Sequence, residues 1–232
     1  MWVKIRKINF KNNIYIYIYM GKEFEIQILD VNISKMKKIL KENKGKQVHK
    51  NIIFERSVFN RCKSKIRGFV RVRNEGKDTT MTVKIYNNPK FPDEHEITIK
   101  EDFNTGKKFL EALNLKMTAY QESYREKWTL PIKGVHEITF DTWPGLPTYM
   151  EIDCDNKQTL NKVIKLFNPN KDKIAYGPTG QKYETYYGIS EKFFNNKIPL
   201  ITFKTISKYI KPKKNKELFK KVLNKQIKKY IK

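Results

Sequence analysis

Carboxylates recur at alternate positions in two short segments, and this spacing is the feature of the chain most able to carry chemistry. Glu151 and Asp153 alternate with aliphatic residues in YMEIDC, and Glu23 and Glu25 are spaced the same way near the N-terminus. Side chains of a strand point to opposite faces with a period of two, so each segment places two carboxylates on one face. Carboxylate oxygens are ligands that hard divalent cations prefer. The two acidic pairs therefore predict the halves of one divalent-metal site.

Basic and acidic side chains alternate in further segments of the sequence. They are Arg71, Arg73, Lys84, Glu94, Glu96, Arg125 and Asp141. Strands with one polar face usually turn that face to solvent. Like-charged pairs repeated on many strands are explained better by a closed barrel with a charged interior and helices over its apolar outer faces. A triphosphate with a divalent cation fits such an interior, because arginine and lysine bind phosphate oxygens and carboxylates hold the metal.

The elements that must position these residues are predicted from hydrophobic spacing. Strands are predicted over residues 22–30, 52–60, 66–74, 79–86, 94–100, 119–130, 135–142 and 148–154. Helices are predicted after Asn32 and Ser34, after Asn104 and Thr105 (with Phe109, Leu110 and Leu113 as its apolar residues), and over 160–167. Short links between strands favour antiparallel pairing and an α+β fold. Glycine and proline in the stretch 170–190 predict a loop, and a short apolar element follows at Phe193 and Phe194.

The composition of the 232-residue chain points to anionic partners. Lysine and arginine number 49 against 24 acidic residues, a net charge of +25, which favours nucleotides, polyphosphate or RNA over a membrane surface. Cys62 and Cys154 have no metal-ligand spacing, so we expect reduced thiols and a cytoplasmic location. No apolar run reaches the length of a membrane span.

The C-terminal segment 204–232 contains twelve lysines and one glutamate. Its apolar residues form one stripe at helical spacing, namely Leu218, Phe219, Val222, Leu223 and Ile227. The pattern predicts a basic amphipathic helix, packed on the domain with a solvated lysine face. An RNA-contacting surface is the alternative, and a membrane-surface helix is the weaker one.

The ordered set of motifs resembles the CYTH family, also known as triphosphate tunnel metalloenzymes. The family's opening Glu-x-Glu-x-Lys is similar to the run from Glu23 to Gln27, its Arg-x-Arg strand to Arg71 and Arg73, and its closing Glu-Ile-Glu to Glu151–Asp153. Other matches are Lys84, the Glu94–Glu96 strand, the Arg125-Glu126 pair, Asp141 before a glycine turn, and Tyr-Tyr-Gly-Ile at 186–189. The resemblance covers residues 20–190. It leaves 1–19 as a leader or an extra edge strand, and 191–232 as a basic helical extension.

The resemblance implies an eight-stranded antiparallel β-barrel, the triphosphate tunnel, with helices packed outside. It implies Mg²⁺ or Mn²⁺ as the cofactor, held by Glu23, Glu25, Glu96, Glu151 and Asp153. It implies phosphate binding by Arg71, Arg73, Lys84 and Arg125, and catalytic roles for Glu25, Gln27 and Asp141. Two departures each remove a cation, because Gln27 and Ser123 stand where the family has lysine.

The function expected from the resemblance is metal-dependent hydrolysis of a nucleoside, thiamine or inorganic triphosphate. The alternatives are a class IV adenylate cyclase, which makes cyclic AMP and pyrophosphate, and an RNA 5′-triphosphatase that uses the basic C-terminal helix. A non-enzymatic module that binds nucleotide or polyphosphate is the remaining alternative, favoured by the two lost cations.

Overall fold

The computed structural model describes residues 8–10, 14–16, 18–22, 24–61, 67–87 and 91–231, with backbone alone before Phe24. Its strands are β1 (Ile8–Phe10), β2 (Ile14–Ile16), β3 (Ile18–Lys22), β4 (Phe24–Ile28), β5 (Lys46–Asn60), β6 (Gly68–Asn74), β7 (Thr79–Ile85), β8 (Asp93–Ile99), β9 (Met117–Thr129), β10 (Val135–Thr142), β11 (Tyr149–Cys154), β12 (Ile174–Ala175) and β13 (Leu200–Ile201).

The helices are α1 (Ile33–Glu42), α2 (Phe103–Ala112), α3 (Lys157–Phe167), α4 (Thr179–Tyr187), α5 (Glu191–Lys197), α6 (Ile206–Tyr209) and α7 (Lys216–Tyr230), with a 3-10 turn at Lys171–Lys173. The first three are capped by side chains. Asn32, Asp102 and Asn156 each accept a hydrogen bond from the backbone N–H three residues later, which satisfies one of the donors that a helix start leaves open.

The chain forms two compact units. The first contains the described residues of Met1–Glu23 and Phe54–Gln121, and the second contains Phe24–Ile53 and the described residues of Glu122–Lys232. In the first unit the antiparallel strand order is β5-β6-β7-β8-β3. Its apolar face packs Phe59, Val72 and Leu110 together, so that α2 covers one side of these strands. The other side carries the arginines and glutamates.

In the second unit the strand order is β12-β4-β11-β10-β9, again antiparallel. Ile26, Ile138 and Ile152 are fully buried on the face opposite the carboxylates, and α3 packs on β4 and β11. A second cluster of buried aromatic and aliphatic residues joins α4, α5 and α7 to the turn between β10 and β11. Charged and apolar residues thus separate by strand face in this unit as well.

The predicted α+β class and the antiparallel pairing are confirmed, and each of the eight predicted strands is present. The number eight itself needs correction, because the described part of the sheet has nine strands of five or more residues and two of two residues. The ninth is β3, which pairs with β8 from Ile18 to Lys22. None of the helices in the described ranges combines the length and hydropathy that a membrane crossing requires.

Two local predictions are wrong. The stretch 170–190 is mostly not a loop, since α4 occupies Thr179–Tyr187. The second helix begins at Phe103 rather than after Thr105, because Asp102 caps it, and Gly106 and Leu110 form its buried side. Phe109 and Leu113, two of the apolar residues that mark the predicted helix, are more than half exposed.

Candidate active site

The centre of the second unit's polar face is the side-chain amide of Gln27. The β4–β11 register places Glu151 opposite Gln27 and Asp153 opposite Glu25. The Gln27 amide nitrogen donates to the Glu25 carboxylate and, over 3.3 Å, to Oε2 of Glu151. Gln27 is only 1% exposed. The buried Gln27 amide therefore joins the carboxylate of Glu25 on β4 to that of Glu151 on β11.

Arg125 on β9 binds three carboxylates of this unit. Its Nε and Nη2 donate to the two oxygens of Asp141 at 2.7 and 2.5 Å, Nη2 also donates to Glu151 at 2.8 Å, and Nη1 donates to Glu137 at 3.0 Å. Burial alone would lower the pKa of Arg125, but the charges of Asp141, Glu151 and Glu137 raise it well above its ordinary value. The guanidinium is permanently charged and held in one plane by a bidentate pair.

A lysine that the sequence did not single out completes this arrangement. Lys182 on α4 is 3% exposed, and its Nζ donates to Oε1 of Gln27 at 3.1 Å and to the carbonyl of Gly177 at 3.4 Å. The ammonium also lies 4.9 Å from the ring centre of Tyr149. We refer to the following residues as the second-unit cluster: Glu25, Gln27, Arg125, Lys127, Glu137, Asp141, Glu151 and Lys182. It contains three cations and four carboxylates.

Asp153 is held differently from Glu151. His136 Nδ1 lies 3.0 Å from Oδ2 of Asp153, and Nε2 of the same ring contacts Asp155. Burial alone would lower the pKa of His136, but the two hydrogen-bonded aspartates raise it to about 9. The imidazolium is therefore charged at neutral pH and joins the two carboxylates.

The first unit has a polar cluster of its own on β6, β7 and β8. Arg71 Nη2 lies 3.2 Å from both Glu94 and Glu96, Lys84 lies 3.1 Å from Glu94, and the Thr82 hydroxyl donates to Glu96 at 2.6 Å. Arg73 pairs with Glu75 and reaches Glu96 at 3.7 Å. We refer to Arg71, Arg73, Glu75, Lys84, Glu94 and Glu96 as the first-unit cluster. Its arginines and its glutamates compensate each other's charge.

The family model for the CYTH domain matches residues 21–187 of this chain, which is most of its length. The chain belongs to the CYTH family. Proteins with CYTH domains are triphosphatases or adenylate cyclase-like enzymes, and the triphosphate tunnel enzymes among them generally use divalent metals. No curated protein matches the sequence significantly.

Solved structures share the fold at low sequence identity. A Vibrio parahaemolyticus protein provisionally assigned as an adenylate cyclase has 12% identity and a TM-score of 0.57, over 71% of this chain and 98% of that one. The PH1819 protein of Pyrococcus horikoshii has 21% identity and a TM-score of 0.53, over 70% and 98%. The PH1012 protein of the same organism has 15% identity and a TM-score of 0.54, over 66% and 94%.

The residues predicted for the CYTH site divide between the two units. The second unit brings together Glu25, Gln27, Arg125, Asp141 and Glu151, with Asp153 next to Glu25 on the same strand face. The first unit brings together Arg71, Arg73, Lys84 and Glu96. Glu23 lies outside the described residues. Asp141 is paired with Arg125.

The donor chemistry of the second-unit cluster suits a hard cation that brings most of its own ligands. Across the described ranges, no group of three or more His, Cys, Asp and Glu side chains is placed to hold a metal by itself. Glu25 and Glu151 nevertheless share one amide, and both offer oxygen only. Mg²⁺ commonly binds through one or two carboxylates together with substrate phosphates and water. The residues therefore fit a metal that arrives with a phosphate ligand.

The sequence pattern does not identify Lys127, Glu137 or Lys182 as members of the site. Glu137 lies two strand positions from Thr139 and four from Asp141 on β10, and it binds Arg125 and Lys127. Lys182 lies in the stretch 170–190, for which glycine and proline predict a loop. The available signals were Pro178 at the helix start, tyrosines four residues apart at 183 and 187, and Gly188 at the helix end, where φ is +67°.

Proposed function

We propose that this chain is a divalent-metal-dependent triphosphatase that hydrolyses a nucleoside, thiamine or inorganic triphosphate. The observation that carries the proposal is the bridge made by Gln27 between Glu25 and Glu151, with the buried Arg125 on the other oxygen of Glu151. A metal–phosphate complex requires carboxylates to hold the metal and a cation to bind the phosphate. Two carboxylates and a permanently charged arginine meet here.

In this proposal Glu25 and Glu151 would hold Mg²⁺ or Mn²⁺, with Asp153 as a neighbouring carboxylate. The metal would supply neutralisation of phosphate charge at the bond that breaks. Arg125 binds phosphate oxygens in the plane that Asp141 fixes, and it needs no proton transfer to stay charged. Asp141 is therefore an orienting residue for Arg125, and Gln27 sets the distance between the two metal-binding carboxylates.

Within the first-unit cluster, the family resemblance assigns phosphate binding to Arg71, Arg73 and Lys84. Each is paired with a glutamate. A pairing of this kind keeps the guanidinium groups charged and oriented until a polyanion competes for them. We propose phosphate binding for these three residues and an orienting role for Glu96, whose carboxylate contacts both arginines, rather than a direct metal contact.

Two further activities use the same chemistry with a different attacking group or substrate. A class IV adenylate cyclase would direct the ribose 3′ oxygen of ATP at the phosphorus, and the Vibrio neighbour provisionally assigned as a cyclase makes this the first alternative. An RNA 5′-triphosphatase is favoured by the lysines of segment 204–229, which are all exposed, while Phe219 and Leu223 hold α7 on the protein. The RNA activity predicts a steep dependence on salt.

One experiment separates these activities. The protein is incubated with ATP, inorganic triphosphate, thiamine triphosphate and triphosphorylated RNA, each with Mg²⁺ or Mn²⁺, and the products are identified. Phosphate indicates hydrolysis, whereas pyrophosphate with cyclic AMP indicates cyclisation. Micromolar binding without any product would establish the binding module instead.

The matched variants are Glu25→Gln and Glu151→Gln, with Glu217→Gln as the control on the exposed side of α7. We expect each site variant to lower kcat/KM at least about 100-fold, since each removes a charged ligand present in the transition state. Glu217→Gln should leave turnover unchanged. Wild-type turnover by Glu25→Gln or Glu151→Gln would refute the assignment of these carboxylates.

A further inference from the structure

A cavity of about 700 Å³ lies in the first unit, on the side of the strands that α2 covers. Glu55 and Ser57 of β5 line it, together with the first turns of α2 and the turn between β6 and β7. The β5–β6 register places Ser57 opposite Val72, which packs with Phe59 and Leu110 on the apolar face. The cavity is therefore on the face opposite the arginines and glutamates of the first-unit cluster.

Ser57 contributes a buried hydroxyl to this cavity. The residue is 1% exposed, and its Oγ has no hydrogen-bond partner in the part of the chain that the structure describes. A buried polar group without a partner is unfavourable, and folded proteins keep few of them. Because Ser57 belongs to the cavity lining, a polar group of a ligand held there would satisfy its hydroxyl.

Glu55, two residues before Ser57 on the same strand face, is held by uncharged donors. The Tyr120 hydroxyl donates to its Oε1 at 2.5 Å, and the Asn74 side-chain amide donates to its Oε2 at 3.0 Å. Asn74 is itself fixed, since its Oδ1 accepts from the N–H of Gly76 at 3.0 Å. Across the described ranges, no lysine, arginine or histidine pairs with Glu55. Each of its oxygens retains a lone pair, so the carboxylate is an oriented acceptor for donors of a ligand.

The exposed part of the lining sets the charge that a ligand meets. Lys77 and Lys100 are exposed, and neither forms an ion pair with another described residue. Lys107 and Glu101 add charges of opposite sign, and Asp102 is already engaged as the cap of α2. No metal-holding group of acidic, histidine or cysteine side chains occurs among the residues described. In a chain of net charge +25, the site therefore favours an anionic ligand over a free amine or a metal ion.

We propose that this cavity binds a phosphorylated ribose, either free or as part of a nucleotide, at a site separate from the proposed reaction. The vicinal diol of the sugar donates to the Glu55 carboxylate and accepts from the Ser57 hydroxyl, because a sugar hydroxyl both donates and accepts. The phosphate extends to Lys77 and Lys100 at the opening. Phe103, a half-buried residue of the lining, provides an apolar wall for the sugar or the base. The volume is within the range of small-molecule sites.

The test is calorimetric titration of the whole chain with adenosine 5′-monophosphate (AMP), its 2′-deoxy analogue and ribose 5-phosphate. We expect AMP to bind and 2′-deoxy-AMP to bind at least about tenfold more weakly, since the analogue leaves a buried polar group unsatisfied. Ribose 5-phosphate that binds as tightly as AMP would identify a sugar phosphate as the ligand. Tighter binding of AMP would identify a nucleotide.

Variants on the cavity lining locate the site. Ser57→Ala should weaken AMP binding about tenfold without lowering the urea midpoint, because the hydroxyl that it removes has no partner in the free protein. Lys100→Gln should weaken binding about threefold, whereas Lys192→Gln, the same change at an exposed position of α5, should have no effect. Glu151→Gln, in the second-unit cluster, should leave AMP binding unchanged.

The outcomes are independent of the proposed function, because calorimetry needs no turnover. Absence of binding by both AMP and ribose 5-phosphate would overturn the inference, as would equal binding of AMP and its deoxy analogue. Binding that is lost in Glu151→Gln and retained in Ser57→Ala would place the ligand in the second-unit cluster and overturn it as well.

Discussion

Replacing Arg125 with glutamine should be among the most destabilising single changes in the second unit. The guanidinium makes two short bonds to Asp141, which is 3% exposed, and one each to Glu137 and Glu151. Removing one member of a buried pair leaves an uncompensated charge, at a loss of about 3–5 kcal/mol. We expect Arg125→Gln to lower the free energy of unfolding by about that amount, measured by urea denaturation with Trp128 and Trp143 as buried fluorescent reporters.

A loss of stability caused by the uncompensated charge can be distinguished from a general disruption of the fold by a second substitution and by varying the pH. Adding Asp141→Asn removes the stranded charge, so the double variant should be more stable than Arg125→Gln by about 1–3 kcal/mol. A buried carboxyl without its cation takes up a proton at higher pH. The deficit of Arg125→Gln should therefore shrink as the pH falls toward 5.

The matched control is Arg67→Gln, an exposed arginine that stacks on Tyr86, for which we expect a change below about 1 kcal/mol. A loss of stability in Arg125→Gln no larger than in this control would contradict the buried pairing. An Asp141→Asn change that adds to the loss instead of offsetting it would contradict it as well.

Two further predictions concern residues beside the site. His136→Gln should destabilise by about 1–2 kcal/mol after allowing for partial exposure. Because the pKa of His136 is raised to about 9, that difference should be complete below the unfolded value near 6.5 and vanish as the pH rises through about 9, so urea unfolding of both proteins at pH 6 and 10 checks its sign. A deficit independent of pH would contradict the charged pairing. Gln226→Leu should lose about 2–4 kcal/mol and expose the Gly145 amide to hydrogen exchange, because the Gln226 side chain satisfies that N–H and the carbonyls of Trp143 and Leu146. Unchanged exchange at Gly145 would show that the contact is dispensable.

Most strands that carry the two clusters were predictable because they have one polar and one apolar face. The alternation of Glu151 and Asp153 with Met150 and Ile152 predicts both the strand and the face that meets solvent or ligand. The register is then set by pairing with the neighbouring strand. The same alternation placed Arg71 and Arg73 on the side of Glu96. What pattern alone could not give was which carboxylate each cation would bind, since this depends on the pairing of strands far apart in sequence.

The helix α4 shows where sequence reasoning ended. Its buried residues include Tyr183 and Tyr187, whose hydroxyls bind backbone carbonyls of a turn about 40 residues earlier, so the segment has no aliphatic stripe to detect. Gly180 reads as a helix breaker, yet it is required by the approach of α5. From the sequence, Lys182 therefore looks like one more surface lysine in a basic chain, although the structure buries it.

The most direct test of the account follows inorganic triphosphate and ATP by phosphorus NMR in ¹⁸O-labelled water, with Mg²⁺ present. We expect the wild-type protein to release phosphate carrying the heavy isotope, chelation to stop this release, and Glu151→Gln to abolish it. Formation of cyclic AMP and unlabelled pyrophosphate from ATP would show that the site catalyses the cyclase reaction instead. Conversion that persists in Glu151→Gln or after chelation would contradict the central claim that metal-binding carboxylates around Gln27 carry the chemistry.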